Sequence, residues 1–255
     1  MTGMSTLSAT RRLHTYANPA RFMALSAGLL APLWALSGVL LAAGLWFALV
    51  ASPPDYQQSE TVRIMYVHVP SAWLAMFGYS VMAVASAVAL VFRHPLADVC
   101  ARSAAPIGAA FTFLSLVSGS LWGRPMWGTW WEWDARLTSV LILFFLYLGY
   151  IALWATIEEP IRAARAAAVL ALAGAVNIPI IHYSVNWWNT LHQPASVFRM
   201  DGPTVAPSML LPLMLMALAF TAIFVTLLLV RMRAEILRRR VRTLRLAQAA
   251  SIGGV

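Results

Sequence analysis

His68 and His192 are the side chains of this sequence best suited to hold a metal centre. They sit in Tyr66-Val67-His68-Val69-Pro70 and in Trp187-Trp188-Asn189-Thr190-Leu191-His192-Gln193-Pro194. Between them runs a segment carrying Trp122, Trp127, Trp130, Trp131 and Trp133, five of the eleven tryptophans within twelve positions. Tryptophan faces give broad van der Waals contact and offset stacking, and Gly123, Pro125 and Gly128 punctuate the run as in a shaped loop. A surface of this kind suits a large, flat, mostly apolar ligand with an acidic edge, whose carboxylates Arg136 or Arg124 could pair. Porphyrin has that shape, and two imidazoles on either side of a tryptophan platform could ligate one haem iron axially. Asp134 has two readings, as a partner for Arg136 or as the cap of the helix that follows.

The elements that must position these groups are membrane helices. With 61% apolar and only 11% charged residues, the 255-residue chain is far from a soluble domain, where about 25% are charged. Crossing about 30 Å of hydrocarbon takes roughly 20 apolar residues. Six segments qualify: about Phe22–Val50, Val69–Phe92, Ala104–Leu121, Thr138–Thr156, Ala166–Tyr183 and Ser208–Val230. The expectation is therefore an all-α integral membrane protein, one domain over residues 1–255, with a tryptophan-rich loop at about 122–137 between helices 3 and 4. A basic tail occupies about 231–255. The apolar run after Arg21 is too long for the core of a cleaved signal and reads as a retained first span.

Charge sets the expected orientation. All eighteen basic residues are arginines. Fourteen, including Arg11, Arg12, Arg93, Arg102, Arg162, Arg165 and the tail cluster, fall on one side, and four, Arg63, Arg124, Arg136 and Arg199, on the other. The positive-inside rule then puts both termini in the cytoplasm and the tryptophan-rich loop outside. His14 and His94 fall inside; His68, His192 and the deeper His182 fall toward the outside. Behind the net charge of +9, the basic tail reads most simply as a cytoplasmic anchor beside anionic lipid, with a partner-docking helix as the alternative, and not as a nucleic-acid surface, which would need interleaved aromatics or a known module. The single Cys100 excludes CxxC and CxxCH chemistry. The absence of lysine excludes a P-loop. No nucleophile or acid–base pair stands out, so no catalytic residue is expected.

The run Trp127-Gly128-Thr129-Trp130-Trp131-Glu132-Trp133-Asp134-Ala135-Arg136-Leu137-Thr138-Ser139 resembles the "WWD" signature of haem-handling membrane proteins, and within them the cytochrome c maturation protein C type. The resemblance continues through Asp55-Tyr56-Gln57-Gln58, His68-Val69-Pro70, Ala105-Pro106-Ile107-Gly108-Ala109, Gly119-Ser120-Leu121-Trp122-Gly123 and the stretch from Ile181 to Gln193. It implies a six-span protein of the bacterial inner membrane with His68 and His192 as axial ligands of haem b. Trp122, Trp127, Trp130, Trp131, Trp133, Asp134 and Arg136 would form the surrounding site on the periplasmic face. The partners it implies are a periplasmic haem chaperone, a small single-span helper subunit, and an ABC-type ATPase with its own membrane subunit. The rival readings are a haem lyase acting on apocytochrome c, a permease subunit without a ligand, and a dihaem electron carrier. The last would need ligand pairs repeated along the spans, which these histidines do not supply.

Overall fold

A computed structural model describes residues 18–193, 196–197 and 199–252; Arg11, Arg12, His14 and Pro194 lie outside them. The described chain is helical throughout: α1 (Pro19–Trp46), α2 (Met65–Phe92), α3 (Pro95–Trp127), α4 (Ala135–Thr156), α5 (Pro160–Gly174), α6 (Asn177–Trp187) and α7 (Pro207–Ile252). A π turn at Phe47–Ala51 ends α1, and a 3-10 turn at Glu60–Ile64 leads into α2. Six helical stretches are long and apolar enough to cross a membrane, with α5 and α6 together forming the fifth.

Helix starts follow local chemistry. Asn18 caps α1 by accepting the Ala20 amide at 2.9 Å, and Glu159 caps α5 by accepting the Ile161 and Arg162 amides; in both, Pro fills the first helical position, where no amide is needed. The fifth span breaks after Gly174. Pro179 has no amide to offer Ala175 and crowds that carbonyl, so the chain turns tightly there and restarts at Asn177.

The helices start earlier than expected in the third and fifth spans, at Pro95 and Pro160 in place of about Ala104 and Ala166, and two further boundaries bear on the site and the tail. The segment read as loop from residue 122 is helical to Trp127, so the irregular stretch is only Gly128 to Asp134. Gly123 and Pro125 are tolerated within the last turns, and the true stop is Gly128, whose φ of 77° is the left-handed conformation that ends a helix. The sixth span does not end at the membrane boundary: α7 runs on through the arginine-rich tail to Ile252, 46 residues in all, about 70 Å at 1.5 Å per residue.

The bundle is held by close backbone approach and by tyrosines acting as wedges. α2 and α3 pack along much of their length, with Gly78 facing the backbone of Gly108. The buried Tyr147 of α4 inserts there and donates its hydroxyl to the Ala75 carbonyl at 2.9 Å. Tyr79 fits against Gly174 of α5 in the same manner. α1 is peripheral: it lies mainly on α7, through Ser37 Oγ to Thr226 Oγ1 at 3.2 Å and Gly44 against Met216. Its other faces expose Leu25, Leu29, Trp34 and Val39, the pattern of a helix whose solvent is lipid. Because a Cβ at Gly108 would overlap the Tyr147 ring, Gly108→Ala is expected to cost about 1–3 kcal/mol. Thermal unfolding in detergent measures this, and an unchanged Tm would contradict the packing.

Candidate ligand site at the tryptophan-rich end

The site is assembled at one end of the bundle, from the first turns of α2, the last turns of α3, the start of α4, the end of α6 and the loop before α7. Together they enclose a cavity of about 340 Å³, within the range of small-molecule sites.

His68 enters in the first turns of α2 and lies against α3. Its Nδ1 is 3.1 Å from the Ser115 carbonyl oxygen and 3.1 Å from Ser118 Oγ. A carbonyl only accepts, so the proton is assigned to Nδ1 and the lone pair to Nε2. Gly119 makes this possible: a Cβ there would lie 2.9 Å from His68 Cε1. The ring edge meets Trp122 at 5.7 Å. Trp122 is in turn fixed by its indole donating to Gln58 Oε1 at 2.9 Å. Gln58 is itself set by an Asx turn, in which Asp55 accepts the Gln57 and Gln58 amides.

His192 is held by a different device with the same result. Asp134 caps α4, its Oδ1 accepting the Leu137 amide at 2.7 Å. Its Oδ2 faces the incoming loop, taking the Leu191 amide at 3.3 Å and His192 Nδ1–H at a long 3.4 Å. Of the two readings of Asp134 the cap is the one found, and Arg136 turns instead to Ser184 Oγ at 2.8 Å and the His182 carbonyl at 3.3 Å. Carboxylate support on Nδ1 again leaves Nε2 as the free nitrogen. Burial holds His192 below the ordinary imidazole pKa of 6.5, against the opposing pull of Asp134. It is therefore neutral at neutral pH. The Trp127 ring packs edge-on at 4.9 Å, folded back over Gly123, where a Cβ would stand 3.0 Å from it.

The structure brings His68, His192, Trp122, Trp127 and Arg136 to one cavity, joined by His182. Trp130, Trp131 and Trp133 do not line it. Trp130 and Trp133 are 56% and 73% exposed, Trp131 stands edge-on to Trp133 at 5.5 Å, and Asp134 lies buried behind His192. The loop is shaped by Ser120 donating to the Trp130 carbonyl and Thr129 to that of Trp131, both at 2.8 Å. Arg124 bonds the Gly128 carbonyl at the helix end, and Glu132 faces water. Gln58, Trp73, Met76 and Gly119 also line the cavity but do not stand out as site residues in the sequence. A signal existed for some: from His68, helical spacing of four leads to Ala72 and Met76, and Trp73 follows Val69 in the same way.

Chemically, the arrangement offers two imidazoles whose Nδ1 is already engaged, a third at His182, a guanidinium and aromatic walls. Among the described residues no three His, Cys, Asp or Glu side chains converge on one point. The double role of Asp134 is separable. Asp134→Asn keeps the cap, since Asn and Asp cap alike, and should leave stability nearly unchanged while the His192 pKa, read by NMR, drops further below 6.5 as the carboxylate charge is lost. Asp134→Ala should also lose about 1 kcal/mol of stability. A His192 pKa unmoved by Asp134→Asn would contradict the pairing.

Most of the chain is similar to known proteins. The profile of the family described as heme exporter protein C matches residues 12–247. Heme exporter protein C of Bradyrhizobium diazoefficiens is 64% identical over 234 residues, covering 92% of this chain and 89% of its own. That of Haemophilus influenzae is 50% identical over 227 residues, 89% and 92% of the two chains. That of Escherichia coli K12 is 47% identical over 227 residues, 89% and 91%. With bacterial relatives of this kind and six membrane-length helices, this is a multi-pass protein of the inner membrane, and the chain belongs to the heme exporter protein C family.

Proposed function

We propose that this protein holds haem b as cargo at the periplasmic face of the inner membrane, between His68 and His192, and delivers it to a periplasmic haem chaperone for cytochrome c maturation. Haem handling in cytochrome c maturation follows from the family. The observation that carries it is the matched pair of imidazoles, each tied through Nδ1 to a fixed oxygen and each on the wall of one cavity. Porphyrin nitrogens fill four positions on iron and leave two axial ones, the number that the His68–His192 pair supplies.

In this reading each side chain has a distinct task. His68 and His192 bind iron through Nε2, and their Nδ1 partners keep the rings oriented and basic. Trp122 and Trp127 pack against the macrocycle, and Arg136, on the cavity wall, pairs with a propionate. Trp130 and Trp133, exposed beside the cavity, form the surface that the chaperone meets. Transfer then requires that docking favour the chaperone-bound state over the bis-histidine one. The covalent bond is made by the chaperone's own nucleophile, and ATP hydrolysis belongs to an ABC-type ATPase that works with its own membrane subunit and a small single-span helper. A haem lyase remains the rival, and transfer assays separate the two: a lyase would act on apocytochrome c without the chaperone.

The test is the optical spectrum and transfer competence of the purified protein loaded with haem. His68→Ala and His192→Ala should each displace the Soret band and lower transfer to the chaperone at least about tenfold, the low end of losses seen when even the outer shell of a metal site is disturbed. Identical spectra in wild type and both variants would overturn the assignment. The pH dependence has a defined sign. Protons compete with iron for His192, whose pKa is lowered from 6.5, so haem ligation is intact above pH 6.5 and is lost as pH falls through the lowered value. A loss centred above pH 6.5 would contradict this.

A further inference from the structure

A second and larger cavity, of about 850 Å³, lies at the opposite end of the bundle and takes no part in the proposed haem chemistry. It is built where α2 ends, α3 begins, α4 ends and α5 begins, and the extension of α7 closes it. All four helix ends belong to the arginine-rich side, so by the positive-inside rule the cavity sits at the level of the cytoplasmic headgroups.

Its chemistry is that of a prepared anion site with apolar walls. Arg93, Arg102, Arg165, Arg239 and Arg242 line it against a single acid, Asp98. Two of the arginines are locked in place. Glu235, 4% exposed on α7, accepts from Arg102 at 2.7 Å and from Arg239 at 2.9 Å, and Asp98 accepts from Arg239 at 2.7 Å. The Arg102 guanidinium also lies 4.3 Å over the Trp154 ring. Even with Glu235 counted beside Asp98, five arginines exceed two acids by three. Glu159, at the nearby α4–α5 turn, is engaged by the α5 amides. Arg93, Arg165 and Arg242 make no ion pair among the described residues. In the same wall Arg239 Nη2 and His94 Nδ1 are buried without a hydrogen-bond partner among the described residues, which a native protein rarely leaves so. The rim is apolar and open: Ile161 is 64% and Leu246 63% exposed, and Val169, two turns along α5, is 60% exposed.

We propose that this cavity binds the phosphate headgroup of an anionic phospholipid of the cytoplasmic leaflet, with the acyl chains leaving over Ile161 and along α5. Basic pockets between membrane helices on the cytoplasmic side are suited to such headgroups. A soluble phosphate would use the arginines and gain nothing from the apolar rim. Bound there, the lipid ties the α7 extension to the ends of four other helices. This role is separate from haem binding and stands or falls independently of it.

The experiment is native mass spectrometry of the full chain released from mild detergent, titrated with cardiolipin, with a zwitterionic phosphatidylcholine and with inorganic phosphate. Arg165→Gln/Arg242→Gln removes two unpaired pocket charges. Arg240→Gln/Arg245→Gln makes the same charge change on the tail outside the pocket. The expected result is selective retention of cardiolipin, weakened at least about tenfold by the pocket pair and little by the control pair. Equal weakening by both pairs would show diffuse attraction to a basic tail and overturn the proposal, as would equal retention of phosphatidylcholine. Inorganic phosphate bound as tightly as cardiolipin would make this a free-anion site and overturn the lipid assignment. A wild-type protein that retains neither would leave a partner protein's acidic segment as the occupant and overturn it as well.

Discussion

The tryptophan-rich end of this protein depends on how two imidazoles are held by the same nitrogen. His68 Nδ1 is tied to the Ser115 carbonyl, on a different helix, and His192 Nδ1 faces the carboxylate of Asp134. Either partner alone fixes a tautomer; together they leave Nε2 as the free nitrogen of two residues that line one cavity. The surrounding features serve this arrangement. Gly119 makes room for one ring, Gly123 lets Trp127 fold back toward the other, and the Asp55–Gln58–Trp122 chain braces the wall between them.

Asp134 links this chemistry to the membrane architecture. One carboxylate oxygen starts α4 and the other gathers the loop that carries His192, so the position of the loop histidine is set by the position of a transmembrane helix. That helix is itself registered by Tyr147, whose hydroxyl reaches the Ala75 carbonyl on α2, two turns below His68. A strained approach at Gly108 would therefore be felt at the site, because interiors packed this closely transmit displacement instead of absorbing it.

The membrane architecture was legible in the sequence because lipid imposes length and apolarity on every span, and six such segments are plain in this chain. Where spans end was less legible. Gly123 and Pro125 look like breakers, yet the helix stops only at Gly128, where the backbone turns left-handed; the decisive feature is a φ angle, which composition does not encode. The continuation of α7 beyond Val230 escaped for a related reason, since hydropathy reports where a helix leaves lipid and not where it unwinds. In the site, His68, His192, Trp122, Trp127 and Arg136 could be named because their side-chain chemistry is distinctive. The division of the five tryptophans between positions 122 and 133 into two that wall the cavity and three that do not depends on where α3 ends. Ser115 and Gly119 act through contact with another helix, and no local pattern marks such a contact.

In the proposed function both imidazoles bind one iron. This ligation is tested most directly by the electron paramagnetic resonance spectrum of the oxidised, haem-loaded protein in mild detergent, with and without His68→Ala and His192→Ala. A low-spin signal of two nitrogen ligands is expected in the wild type, converted by either substitution to a high-spin or one-histidine signal. A low-spin bis-nitrogen signal that survives the loss of both histidines would place the haem elsewhere and contradict that ligation.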